Sequence, residues 1–264
     1  MFYWIYDYPT AYMGALFAVV FLAFTWVGLL FFRPIVRAWI HKERRANDMV
    51  GFALSSFSVF YGLLLGLLAV AAYQNFSTIS DNVDKEAASL AALYRDLGGY
   101  PQPIRGKLQS DLREYTSEVI EKSWPLQRQG IVPAHGSDLV TTFFDDVLTF
   151  NPADKREEII HAEALRQFNH FVELRRSRLA NVTTGIPAVL WWVVVIGAVL
   201  NIVLIWMLDM EVHVHVLLSG VLSVFLGVVI FLIAAMDNPF RGDVSVGPDS
   251  FQLVYDSLMK PARD

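Results

Sequence analysis

The run Met49-Val50-Gly51-Phe52-Ala53-Leu54-Ser55-Ser56-Phe57-Ser58-Val59-Phe60-Tyr61-Gly62-Leu63-Leu64-Leu65-Gly66-Leu67-Leu68-Ala69-Val70-Ala71-Ala72-Tyr73 carries no Asp, Glu, Lys or Arg. As a helix it crosses ~30 Å of hydrocarbon, which takes about 20 residues. Ala11–Phe32, Ile186–Leu208 and Val212–Met236 share this property, so all 21 Lys+Arg and 26 Asp+Glu of the chain fall outside four stretches. The 264 residues are 55% hydrophobic and 18% charged, with mean hydropathy +0.41, well above an ordinary soluble protein. This composition excludes a soluble globular enzyme, a disordered tail and a secreted disulfide scaffold. The chain has no cysteine, which removes disulfides, thiolate metal sites and cysteine nucleophiles and leaves the redox compartment open. The net charge of -5 gives no reason to expect nucleic acid. Met1–Pro9 holds no Lys or Arg and the first apolar run is a full span, so no cleavable signal peptide is expected.

The expected fold class is all-α: an integral membrane protein of four transmembrane helices with a helical extramembrane insert between spans two and three. The expected layout is an N-terminal segment 1–10, a first span 11–32, a basic loop 33–48, a second span 49–73, a helical domain 74–185, a third span 186–208, a fourth span 212–236 and a tail 237–264. Arg33-Pro34 is expected to break the first helix. The insert from Gln74 to Thr184 holds 13 of the 21 basic and 16 of the 26 acidic residues, which places it in water. Its pattern is helical. Gly98-Gly99 is a stop signal, and Pro103 opens a helix that is expected to break at Pro125. Ser137 or Asp138 caps a short one through Phe150, and Asn151-Pro152 opens a long one. The loop Arg33–Met49 holds five Lys/Arg and the segment before the first span none. The positive-inside rule therefore puts that loop in the cytoplasm and the N-terminus, insert and C-terminus outside.

The second span has the most informative face. Ser55, Ser58, Gly62, Gly66, Ala69 and Tyr73 follow at three- or four-residue steps and form one helical stripe, small except for Tyr73. Gly62 and Gly66 form a small-xxx-small pair. Two readings fit: a face for close helix packing, or the lining of a narrow symmetric pore with the hydroxyls of Ser55, Ser58 and Tyr73 facing water. No proline or glycine falls between Ala69 and Leu97, so the helix is expected to continue out of the membrane. The stripe then runs through Phe76 to Ser80 and Asp84. Phe76 is a candidate constriction, since an aromatic ring can close a pore by dewetting; Ser80 and Asp84 are candidates for the pore mouth. Tyr73 and Phe76 as interfacial anchors is the other reading. Asp81, Asp84 and Glu86 against Lys85 give this helix a local excess of acid, which favours cations at a mouth.

Coupled pumps need carboxylates or histidines at membrane depth, and the spans hold none but His213 and His215, read as interfacial. Asn201 is read as an interhelix hydrogen bond, and Asp237 as part of a helix C-terminal turn. Asp145-Asp146 and Glu157-Glu158 read as solvated or helix-start charges. No nucleophile, metal cluster or phosphate loop is found, so neither a catalytic residue nor a metal or other cofactor is expected.

Tyr61-Gly62-Leu63-Leu64-Leu65-Gly66, Tyr73-Gln74-Asn75-Phe76 and Val83-Asp84-Lys85-Glu86-Ala87-Ala88 resemble the bestrophin-like domain of bacterial membrane proteins. Leu93-Tyr94-Arg95 and Met236-Asp237-Asn238-Pro239-Phe240-Arg241-Gly242-Asp243-Val244-Ser245-Val246 look like the same family, and the similarity in layout covers nearly the whole chain. The resemblance implies a distant relation to bestrophins, pentameric anion channels whose second span lines the pore. Bestrophins keep both termini and the insert in the cytoplasm, against the direction of the basic loop here. No segment matches a bestrophin-type calcium-binding acidic cluster.

The expectation is thus a homo-oligomer, a pentamer by resemblance, in the lipid bilayer of a bacterial inner membrane. It would pass inorganic ions through an axial pore lined by the second span, because cyclic symmetry brings one stripe from each chain to an axis. The alternative is a non-conducting scaffold whose insert binds a partner; a coupled transporter is a weaker third.

Overall fold

The computed structural model describes residues 3–40 and 45–260 and contains no strand among them. Nine α-helices are described: α1 (Thr10–Ile40), α2 (Ala46–Asp96), α3 (Ile104–Glu118), α4 (Trp124–Arg128), α5 (His135–Leu148), α6 (Lys155–Asn181), α7 (Ala188–Trp206), α8 (Val212–Met236) and α9 (Asp249–Val254). They fall into two compact units. One comprises Met1–Gln74, Gly185–Asp237 and Gly242–Val244; the other comprises Asn75–Thr184, Asn238–Arg241 and Ser245–Asp264.

In the first unit α1, the early part of α2, α7 and α8 are each long and apolar enough to cross a membrane. The expected break at Arg33-Pro34 does not occur: α1 runs through Pro34 to Ile40. Proline is tolerated in membrane helices because neighbouring groups and local adjustments re-satisfy the freed backbone. Residues 41–44 of the expected basic loop lie outside the described residues.

Between membrane helices there is no hydrophobic driving force, so close approach and interhelix hydrogen bonds hold the unit together. The Tyr61 ring covers Gly197, where a Cβ would collide with it, and the phenol donates to the Val194 carbonyl at 2.7 Å. Trp206 lies over Gly28 in the same way and its indole donates to the Thr25 carbonyl at 2.9 Å. Ser58 Oγ donates to Asn201 Oδ1 at 3.1 Å, which makes Asn201 the interhelix partner its sequence position suggests. His215, near the start of α8, is wholly buried, with Nε2 2.9 Å from the Ile205 carbonyl, because its place on α8 turns it toward α7 while His213 stays exposed. At the other end of that helix pair, Asp237 Oδ1 accepts the Ile186 amide and Oδ2 accepts the Trp191 indole at 3.1 Å.

The second unit has its own core, built on Val83, Leu90, Leu93, Leu108, Leu112, Phe171 and Phe251. α2 ends at Asp96 and passes into a 3-10 turn over Leu97–Gly99. Pro125 does not end the helix begun by α3. A π-helical turn at Val119–Ser123 leads into α4, which places Pro125 in its first turn, where no N–H is needed. α6 starts later than Asn151-Pro152 suggests: Asp154 is its N-cap and accepts the Glu157 amide at 2.8 Å. The fold spends its strongest polar contacts at the centre of this unit. Arg178 Nε and Nη2 donate to Glu86 Oε2 and Oε1 at 2.7 and 3.0 Å, and Nη1 donates to Gln127 Oε1 at 2.9 Å. The guanidinium lies 5.3 Å from the Trp124 ring and 5.5 Å from the Phe251 ring. Burial opposes its charge, and Glu86 outweighs burial and holds the guanidinium above its ordinary value. Tyr115, beside the pair, is pushed above the usual tyrosine range by burial and by Glu86.

Candidate functional site: the open face of the second span

α2 carries a buried rail. Tyr61, Leu65, Leu68 and Ala72 recur at four- and three-residue steps, and Ile79, Val83, Ala87, Leu90, Leu93 and Leu97 continue it. A stripe one residue further along lies about 100° around the helix from this rail. That stripe is the one read from the sequence, from Ser55 to Tyr73 in the first unit and from Phe76 to Asp84 in the second.

The structure places the stripe residues in two states. Gly62 and Gly66 are exposed, and a Cβ at either would meet nothing within 4 Å. Tyr73 is 57% exposed. Ser55 is exposed but its hydroxyl donates to its own helix, to Gly51 O at 2.8 Å. Ser58 and Ala69 are half-buried, and Ser58 is engaged by Asn201. Beyond the span, Phe76 is half-buried and packs against the core of the second unit. Ser80 is half-buried as well. Asp84 is exposed, and its Oδ1 accepts the Ser250 hydroxyl. Glu86 is fully buried against Arg178 and adds nothing to the acidity of the exposed face, contrary to the count by sequence. A carboxylate two residues on turns about 160° away from Asp84 and lies beside the rail rather than on the stripe.

The contrast among glycines decides what this face offers. Gly28 and Gly197 are covered by aromatic rings from the same chain, whereas Gly62 and Gly66 are bare. Around them Phe60, Leu63 and Leu67 are largely exposed. A bare glycine pair in an apolar setting permits the close approach of a second helix backbone. Asp237 caps the end of α8, as its sequence position suggests, whereas Arg178, Thr25 and Ser223 are structural polar groups that sequence reading missed. Their partners lie far along the chain, and only the lone placement of Thr25 and Ser223 in apolar runs could have flagged them; Ser223 Oγ and Thr25 Oγ1 are 2.6 Å apart. No group of three or more His, Asp or Glu among the described residues is placed to hold a metal ion.

Comparison with known proteins follows the same outline. No curated protein matches the sequence. Among solved structures, a bacterial bestrophin homolog from Klebsiella pneumoniae has a TM-score of 0.62 at 13% identity, over 91% of this chain and 95% of that one. A point variant of the Klebsiella pneumoniae homolog has a TM-score of 0.61 at 11% identity, over 94% and 99% of the two chains. A point variant described as a membrane protein has a TM-score of 0.62 at 12% identity, over 92% and 96%. These likenesses fix the fold. The bestrophin-like domain family matches residues 19–251, from within the first span through α8 to α9, and the chain is therefore a member of the bestrophin-like family.

Proposed function

We propose that this chain forms a ring-shaped homo-oligomer, a pentamer by analogy with bestrophins, that conducts inorganic ions passively through an axial pore lined by α2. Family and fold support an ion channel in general terms. The observation that carries the finer reading is the bare Gly62–Gly66 face: the chain covers Gly28 and Gly197 with its own rings, whereas Gly62 and Gly66, like Gly51 on the same helix, are left bare. Under this reading Ser55, Ser58, Gly62, Gly66, Ala69 and Tyr73 line the membrane part of the path. Phe76 is the constriction, and Ser80 and Asp84 stand at the mouth. The site is a bacterial inner membrane, with the N-terminus and insert outside, as the basic loop favours. The test is ion flux from vesicles reconstituted with the purified protein, together with the subunit number in detergent. Salt-gradient current from an oligomer supports the proposal; a monomer with no current under any gradient refutes it.

The scaffold reading has one observation in its favour. A polar hollow of about 300 Å³ on the second unit is lined by Arg113, Glu114, Glu121, Lys122 and His135, a surface suited to a charged partner. It gains weight only if wild-type vesicles pass no current.

A further inference from the structure

A different face of the first unit, away from α2, holds a groove between α1 and α8. It is a shallow, open hollow of about 870 Å³ walled by Leu22, Trp26, Val221 and Phe225, among others. The indole donor in it is engaged by the Val216 carbonyl at 3.2 Å, and His213 is the other polar side chain in an otherwise apolar wall. A second hollow of about 270 Å³, sharing Val216, continues along the same helix pair and ends at Arg33. Arg33 donates Nη2 to the Met210 carbonyl at 3.0 Å, and its Nε–H is buried without a partner. From Leu22 to Arg33 is about 16 Å along a helix, close to the ~15 Å of a single leaflet in a ~30 Å hydrocarbon core.

An apolar trough one leaflet long, closed at one end by a cation with an unspent donor, has a specific complement. We propose that the α1–α8 groove binds an anionic phospholipid, with an acyl chain along Trp26 and Val221 and the phosphate on Arg33. Charge selects the occupant. A neighbouring apolar helix would fill the trough and leave the Arg33 charge without a counter-anion, which is costly. A lipid phosphate answers it with charge-assisted hydrogen bonds at the depth where headgroups lie. Basic pockets between membrane helices take anionic headgroups for this reason.

The experiment is native mass spectrometry of the purified protein with phosphatidylglycerol or phosphatidylcholine of identical acyl chains. Wild type should retain phosphatidylglycerol about 5-fold more than phosphatidylcholine. Arg33→Gln should equalise the two, Arg33→Lys should keep part of the preference, and Val221→Trp, which fills the trough, should lose both lipids. Equal retention by wild type overturns the proposal, as does an undiminished preference in Arg33→Gln. A Val221→Trp protein that changes its subunit number while keeping its lipid assigns the groove to a second copy and overturns it too. None of these readouts depends on current, so the proposal and the channel reading fail separately.

Discussion

Arg178 and Glu86 meet as a two-point ion pair inside the second unit, with side chains 1% and 0% exposed and N–O distances of 2.7 and 3.0 Å. Such a pair adds little over a well-packed apolar one, but removing one partner strands the other without water. Arg178→Met should therefore destabilise the protein by about 3–5 kcal/mol, read as a loss of thermal stability and protease resistance in the insert. The double replacement Arg178→Met with Glu86→Leu should recover most of that loss. A double variant no better than the single one would show that the pair holds specific geometry that apolar packing cannot replace.

Asp111 should make the insert more stable in mild acid. Burial pushes its carboxyl up to about 6; the neighbouring charge of Asp146 adds to the rise, and Lys107 opposes it. Lys107 in turn pairs with Asp146. A raised folded-state value means that the folded protein binds the proton more tightly than the unfolded chain. Stability is then greatest below the unfolded value near 4 and falls as pH rises through about 6. Asp111→Asn should flatten the melting temperature across that window and gain on wild type at pH 7. Parallel profiles for the two proteins would exclude Asp111 as the source.

The covered and bare glycines should respond oppositely to enlargement. Gly28→Ala sets a methyl against the Trp206 indole, which its hydrogen bond to Thr25 holds in place. The expected cost is about 1–3 kcal/mol on the overpacking scale. A Cβ at Gly62 or Gly66 meets nothing in its own chain within 4 Å, so Gly62→Leu and Gly66→Leu should leave the melting temperature of the isolated chain unchanged while oligomer mass or current is lost. If both leucine variants keep wild-type mass and wild-type current, the bare face is neither a subunit contact nor a pore wall.

Phe76→Ala should raise leak in reconstituted vesicles, because opening a dewetted gap takes only the removal of its apolar wall. Part of the Phe76 ring packs on the insert core, so Phe76→Leu, which keeps an apolar side chain there, serves as the control for folding. Asp84→Asn should shift the reversal potential toward anions. A potential that does not move takes Asp84 out of the ion path.

Orientation can be read chemically, because the chain has no cysteine of its own. Lys155 lies at the first turn of α6 with its side chain 83% exposed, so Lys155→Cys presents a reachable thiol. In intact cells it should react with a membrane-impermeant reagent. Labelling only after lysis would put the insert in the cytoplasm, as in bestrophins.

The four spans and the passage of α2 into the insert were legible because hydrocarbon excludes charge and an unbroken helix needs no partner to be recognised. Local stops were less legible. Pro34 and Pro125 look like breaks by themselves, yet one is absorbed in a membrane helix and the other falls in the first turn after a π-helical turn. The stripe could be placed on one face, but whether Ser58 looks to solvent or to Asn201 is decided by α7, 143 residues away. Glu86 read as one more acid on a solvated helix for the same reason: its partner lies 92 residues on. The family was visible in short motifs; the buried polar network was not, since it is made of single residues with no spacing in common.

The ties at the two ends of the α7–α8 pair have a mechanical consequence. Near the loop, His215 is fixed to Ile205; at the far end, Asp237 clamps Ile186 and Trp191. A hairpin fastened at one end can splay like a pair of tongs, and one fastened at both cannot. The two helices are held to each other at both ends, and α1 is tied to each of them through Thr25, to Ser223 of α8 and to the Trp206 indole of α7, so opening the pair also works against α1. Asp237→Asn, which keeps the shape and weakens the clamp, should free the far end. Faster hydrogen exchange at the start of α7, with the loop end unchanged, would register that release.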